Sequence, residues 1–266
     1  MRILFCGDVV GRAGRKVVIE NLSQLKLEHK IDFTIINCDN ASGGYGINKN
    51  DHQEFLSMGV DVLTGGDHIW DQQEITGFIN ESKRLLRPLN FPKSSPGVGA
   101  RIFLDACNRK ILVIHLLGQV FIKYHVSCPF EAVEQVLSSN KLGRDVDAVF
   151  VDFHAEATSE KMAMAKFLDG KVSAVIGSHT HIPTYDFHVM SGGTAYQTDA
   201  GMCGDYDSVI GMEKNIPLQM FLHKRKFPKM TPAQGAATLC ATVVEIDNEK
   251  GFARNIYPIK LGGVLV

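Results

Sequence analysis

Short runs of aliphatic and β-branched residues recur along the chain, each closed by a polar step. They predict strands at Ile3–Cys6, Phe33–Cys38, Val60–Thr64, Ile111–His115, Ala148–Phe153 and Ala174–Ile176. Between the early runs, Val17, Val18, Leu22 and Leu25 are spaced to fall on one face of a helix. This alternation predicts an α/β fold, a layered sandwich of central, largely parallel β-sheets flanked by helices. The tail differs. Leu239–Ile246 and Ala253–Ile259, separated by Asp247-Asn248-Glu249-Lys250-Gly251, read as a hairpin with a polar turn. Asp205–Ala236 is poorly periodic and bears Met, Lys and Pro; it reads as a lid or insertion at about 205–236 in one domain spanning 1–266.

Metal-type side chains stand at the ends of these strands. Asp8 follows the first, Asp39-Asn40 the second and Gly65-Gly66-Asp67-His68 the third. Asp152-Phe153-His154 and Gly177-Ser178-His179-Thr180-His181 close two later ones. Ligands of open α/β sheets bind beyond the carboxyl ends of the strands, so these residues are expected on one rim. Carboxylate, amide and imidazole donors together suit Mn, Fe, Zn or Co. They exceed what one tetrahedral ion uses; two ions about 3.5–4 Å apart, sharing a carboxylate, would use them all.

Each element also has an ordinary reading. Asp8 alone suits a helix N-cap, Asn40 a turn, Asp67-His68 a capped turn and His154 a core histidine. His179-Thr180-His181 is stronger, because an extended i, i+2 pair points both imidazoles the same way. The coincidence at five strand ends argues for a metal centre. Rival motifs are incomplete: Gly7…Gly11…Gly14-Arg15-Lys16 is no phosphate loop, and His154-Ala155-Glu156 has no P-C-x-x-C after it. H-E-x-x-H and G-x-S-x-G are absent.

Composition narrows the rest. The 266 residues are 45% hydrophobic and 21% charged, enough for a full core. A net charge of −1 gives no global reason for a stable nucleic-acid complex or for membrane binding. The first residues enter a strand directly, which argues against a signal peptide, and no apolar run reaches membrane-spanning length. Six scattered cysteines without a C-x-x-C pair fit a reducing cytoplasm. His223-Lys224-Arg225-Lys226 reads as a solvated basic face, and mixed surface stretches leave a homo-oligomer open.

Longer motifs carry a family likeness: Gly7-Asp8-Val9-Val10-Gly11, Thr34-Ile35-Ile36-Asn37, Arg87-Pro88-Leu89-Asn90-Phe91-Pro92, Asp152 through Lys161, Ser178-His179-Thr180-His181 and Thr198-Asp199-Ala200-Gly201-Met202. With these the chain resembles the calcineurin-like metallophosphoesterases, and more narrowly their bacterial YmdB branch, described as 2′,3′-cyclic-nucleotide 2′-phosphodiesterases. The resemblance implies a dinuclear site of iron or manganese, with zinc or cobalt as alternatives. By that pattern Asp8, Asn40 and His181 hold one metal, Asp67, His154 and His179 the other, and Asp39 bridges. It further implies attack by a metal-bridging hydroxide on a small phosphodiester such as a cyclic nucleotide, with His68 as proton donor to the leaving group.

Val10 fills the place where the wider superfamily has a first-motif His, as in this branch. Two positions depart from the branch: Asp39 stands where Glu is usual, and Asp67 where Asn is. The extra carboxylate is expected to tighten metal binding and weaken acidification of the attacking water. Two alternatives follow: a broad phosphomonoesterase or protein phosphatase, or a catalytically impaired regulator that binds metal or nucleotide.

Overall fold

A computed structural model describes residues 1–223 and 227–265; Lys224, Arg225 and Lys226 of the basic cluster lie outside the described residues. In chain order the elements are β1 (Arg2–Cys6), β2 (Asp8–Val9), α1 (Gly11–Glu28), β3 (Phe33–Asn37), α2 (Lys49–Ser57), β4 (Val62–Thr64), α3 (Ile75–Phe78) and β5 (Leu85–Leu86). There follow β6 (Ala100–Leu104), β7 (Lys110–Leu117), α4 (Pro129–Ser138), β8 (Ala148–His154), α5 (Thr158–Leu168) and β9 (Ala174–Ser178). The chain then runs through β10 (His188–Val189), β11 (Ala195–Gln197), β12 (Met202–Asp205), α6 (Asn215–His223), β13 (Ala237–Ile246) and β14 (Ala253–Leu261).

Period-two alternation assigns each strand residue to a layer. In β1, Ile3 and Phe5 point into a core shared with Ile111, Val113, Ala148 and Phe150 of the other sheet. Leu4 and Cys6 point the opposite way, against Val17, Val18, Leu22 and Leu25 of α1. Leu112, Ile114, Val149 and Val151 likewise turn outward onto Val133 and Leu137 of α4 and Met164 and Leu168 of α5. Two sheets therefore face each other with helices outside both, the expected layered α/β sandwich.

One sheet runs β2-β12-β13-β1-β3-β4-β5, with β14 beside β13; the other runs β10-β11-β9-β8-β7-β6. β1, β3, β4 and β5 are mutually parallel, as are β7, β8, β9 and β11, which sends their carboxyl ends to common rims. The tail hairpin forms as read, β13 and β14 pairing antiparallel with an irregularity at Glu245/Ile246. β6 and β12 join the sheets without having been read from the sequence. The 205–236 stretch contains α6, whose Leu218, Phe221 and Leu222 are exposed, and two bridges through Met212, to Val209 and Pro232. Among the described residues, no helix is long and apolar enough to cross a membrane.

Candidate metal centre

Five parallel strand ends bring all eight predicted residues together. Asp8 opens β2 after the β1 end, Asp39 and Asn40 follow β3, and Asp67 and His68 follow β4. His154 is the last residue of β8, and His179 and His181 come just after β9. Asp8, Asp39, Asn40, Asp67, His154 and His181 are buried, His68 and His179 partly so. Asp8 is no helix cap: α1 is preceded by Val10, with no side-chain cap bond.

Asp67 Oδ1 lies 3.3 Å from His154 Nε2 and 3.5 Å from His179 Nδ1, and those two ring nitrogens are 3.1 Å apart. Asp39 Oδ2 is 3.4 Å from the same His154 Nε2. On the other flank, His181 Nε2 lies 3.2 Å from Asn40 Oδ1 and 3.9 Å from Asp8 Oδ1. Potential donor atoms of Asp67, His154 and His179 all fall within 4.8 Å of one another, as do those of Asp39, Asp67 and His68.

Every imidazole is gripped from outside by one nitrogen. Ser178 Oγ is 3.0 Å from His154 Nδ1, Glu156 Oε2 is 3.3 Å from His179 Nε2, and the Ile210 carbonyl is 2.7 Å from His181 Nδ1. Asp71 Oδ2 sits 2.8 Å from His68 Nδ1. Such outer partners fix the ring and its tautomer in metal sites. Each of the three rings near the carboxylates thus presents its other nitrogen inward.

The carboxylates fit a cation by the same test. Asp8 Oδ2 accepts from the His179 backbone N–H at 3.0 Å, but its buried Oδ1 has no hydrogen-bond partner. An orphaned, fully enclosed carboxylate oxygen is costly unless something positive meets it. Burial pushes the Asp8 carboxyl up, against the pull of His154 and His181. Burial would also raise Asp67, yet its hydrogen bonds to His154 and His179 win and hold it well below the usual carboxylate range. Burial likewise opposes charge on His154, but Asp39 and Asp67 outweigh it and raise that imidazole well above its ordinary value.

Two features differ from the sequence reading. The His179–His181 turn is not extended: φ is +98° and +66° at the two histidines, and their rings serve opposite flanks. The outer layer was also missed. Asn37 donates from Nδ2 to the Gly65 carbonyl and to Asp152 Oδ2, both at 3.1 Å, while its Oδ1 accepts from the Asp39 N–H at 3.0 Å. Partners this far apart in sequence leave no local pattern. Among the described residues, a cavity of about 840 Å³ opens elsewhere, between β6 and α4; the Arg87 guanidinium on its wall is bonded to backbone carbonyls.

The model of a family described as YmdB-like protein matches residues 4–259. The 2′,3′-cyclic-nucleotide 2′-phosphodiesterase of Bacillus subtilis (strain 168) is 40% identical over 250 residues, which span 94% of this chain and 92% of that protein. A hypothetical protein from Thermus thermophilus matches with a TM-score of 0.91 and 38% identity, over 99% of this chain and 100% of that one. A structure described as a novel phosphatase of Mycoplasma pneumoniae also gives 0.91, at 32% identity over 98% and 93%.

Proposed function

This chain belongs to the YmdB-like protein family, and from that premise we propose that it is a metal-dependent phosphodiesterase acting on small phosphodiesters such as 2′,3′-cyclic nucleotides. By kinship it is a phosphoric ester hydrolase. The finer reading is carried by one observation: inward-facing imidazole nitrogens of His154, His179 and His181 meet Asp8, Asp39, Asn40 and Asp67 at one rim.

Asp8, Asn40 and His181 would hold one ion, Asp67, His154 and His179 the other, with Asp39 between. The Asn40–His181 and Asp67–His154–His179 contacts support that division. Bound there, two ions would polarise the phosphoryl oxygens and acidify water for in-line displacement. Iron or manganese is our reading, and zinc or cobalt suits the same donors.

The remaining work falls to the chain. His68 is held at Nδ1 by Asp71, which aims Nε2 to protonate the departing ribose 2′-oxygen and leave a 3′-phosphate. Its backbone N–H donates to Asp39 at 3.0 Å, tying the acid to the central carboxylate. The Tyr45 ring packs edge-on against His68, centroids 5.1 Å apart. Within one domain, the described residues of the 205–236 stretch would act as a lid or insertion beside the site. Its Ile210 carbonyl holds His181, its Met230 carbonyl accepts from the Tyr45 hydroxyl at 3.4 Å, and its Lys229 ammonium lies 3.9 Å over the Tyr45 ring.

The test is hydrolysis of 2′,3′-cyclic AMP beside bis-p-nitrophenyl phosphate and p-nitrophenyl phosphate, with metal content assayed on the same sample. Cyclic nucleotide turned over to the 3′-phosphate, and lost by a His68→Ala variant that keeps its metal, supports diesterase and acid together. A preference for the monoester overturns the substrate reading. His68 has a second reading, as a ligand, because it groups with Asp39 and Asp67; metal loss in His68→Ala favours it.

A further inference from the structure

A buried ion pair stands behind the turn that carries two of the histidines. Lys161 Nζ lies 2.7 Å from Asp199 Oδ2, with side chains 1% and 0% exposed. Desolvation offsets much of the attraction in such a pair, so stability alone explains it poorly. What Asp199 touches explains it better. Its Oδ2 also accepts from the Thr180 backbone N–H at 3.1 Å and the Thr180 hydroxyl at 2.7 Å, and its Oδ1 from the Gly201 N–H at 2.8 Å.

Thr180 is the residue between His179 and His181, whose positive φ angles are unfavourable for residues that carry a Cβ. β9 has ended at Ser178, so side chains hold the turn: Asp8 takes the His179 N–H and Asp199 the Thr180 N–H. The stretch from Asp152 to Lys161 grips this turn at three points. Asp152 accepts from Ser178 Oγ at 2.6 Å, Glu156 faces the His179 ring, and Lys161, from the first turn of α5, anchors Asp199.

We propose that Asp199, with Lys161 as its fixed counter-ion, is a positioning residue of the metal centre. It pins Thr180 so that His179 presents Nδ1 to one flank and His181 presents Nε2 to the other. The proposal rests on reading those two histidines as metal ligands.

The experiment measures Mn²⁺ and Co²⁺ uptake by calorimetry, the visible absorption of the Co²⁺ form and thermal unfolding, on the full chain and three variants. These are Asp199→Asn, Lys161→Met and the two combined. Asp199→Asn is expected to lose about 10–100-fold in metal affinity, the usual effect of removing an outer partner, and to alter the Co²⁺ spectrum. It also leaves the Lys161 ammonium buried without its counter-charge, so its unfolding temperature falls. The double variant removes that charge and is expected to recover stability but not affinity. Affinity and stability returning together would show a structural role only and overturn the proposal, as would parental affinity in folded Asp199→Asn. Should Asp199→Asn not fold, the double variant decides on the same criterion. A parent chain that takes up neither ion overturns the ligand reading itself, and that outcome is seen before any variant is made.

Discussion

Asn40 Oδ1 and His181 Nε2 face each other across 3.2 Å. Asn40 commits Nδ2 to the Gly44 carbonyl at 3.0 Å, and His181 commits Nδ1–H to the Ile210 carbonyl. In the neutral ring, lone pairs therefore oppose each other, and a cation between them turns repulsion into coordination. Metal removal should accordingly destabilise the folded chain. At a metal concentration a hundredfold above Kd, mass action stabilises it by about 2.7 kcal/mol. Thermal unfolding with and without a chelator measures this; an unchanged midpoint would sink it.

Gly66 leaves room that the centre cannot spare. A Cβ there would lie 2.5 Å from both Asp39 Cγ and His154 Nε2. Gly66→Ala should displace both side chains and abolish tight metal uptake. As a forced overpacking it should cost about 1–3 kcal/mol of stability. Calorimetry and denaturant unfolding on one preparation check both parts, and parental affinity would refute the first.

Asp67 brings a third carboxylate to the candidate centre, beside Asp8 and Asp39. Asp67→Asn keeps an acceptor oxygen for His154 and His179 while removing a charge. Weaker metal binding is expected, together with an acid limb of the kcat profile moved to lower pH, because more net positive charge acidifies water further. Metal titration and a pH–rate profile test the pair; a parental profile with parental affinity contradicts it.

His154 predicts the pH dependence of loading. Asp39 and Asp67 raise its imidazole above the ordinary value, so the metal-free ring keeps its proton to higher pH than a free imidazole does. A ligand must be neutral, so uptake expels that proton. Apparent affinity should rise about tenfold per pH unit up to the raised pKa and level off above it. Calorimetry at pH 7 in buffers of different ionisation enthalpy reads the proton directly; equal heats would rule it out.

The clustering of the candidate residues was legible because they follow apolar strands, and parallel strand ends converge whatever the loops do. Asp8, Asp39, Asn40, Asp67, His68, His154, His179 and His181 each stand within a few residues of such an end. The one-sided pattern of Val17, Val18, Leu22 and Leu25 likewise matched the buried face of α1. β12 was harder: Met202-Cys203-Gly204-Asp205 is short and mixed, and becomes a strand by lying between β2 and β13. α6 exposes most of its apolar side chains, so it lacks the amphipathic stripe that marks a helix in sequence. Asn37, Asp152 and Ser178 could not be linked beforehand, because Asn37 and Asp152 are 115 residues apart and meet only through the facing of two sheets.

β13 pairs with β1 from Arg2↔Glu245 to Cys6↔Ala241, and the Met1 amine bonds the Ile246 carbonyl across 245 residues of sequence. During synthesis, β1 and β3 leave the ribosome early, but one edge of β1 stays open until β13 (Ala237–Ile246) has emerged. β2, which begins at Asp8, gains its strand partner β12 only when Met202 and Cys203 have emerged. Pairings so distant make for slow folding. The nascent chain therefore carries an uncovered apolar edge while everything between β3 and β13 is made, an opening for chaperones or for faulty association. A chain cut short before β13 would leave that edge of β1 uncovered, so the sheet that carries Asp8 is completed only by a late pairing.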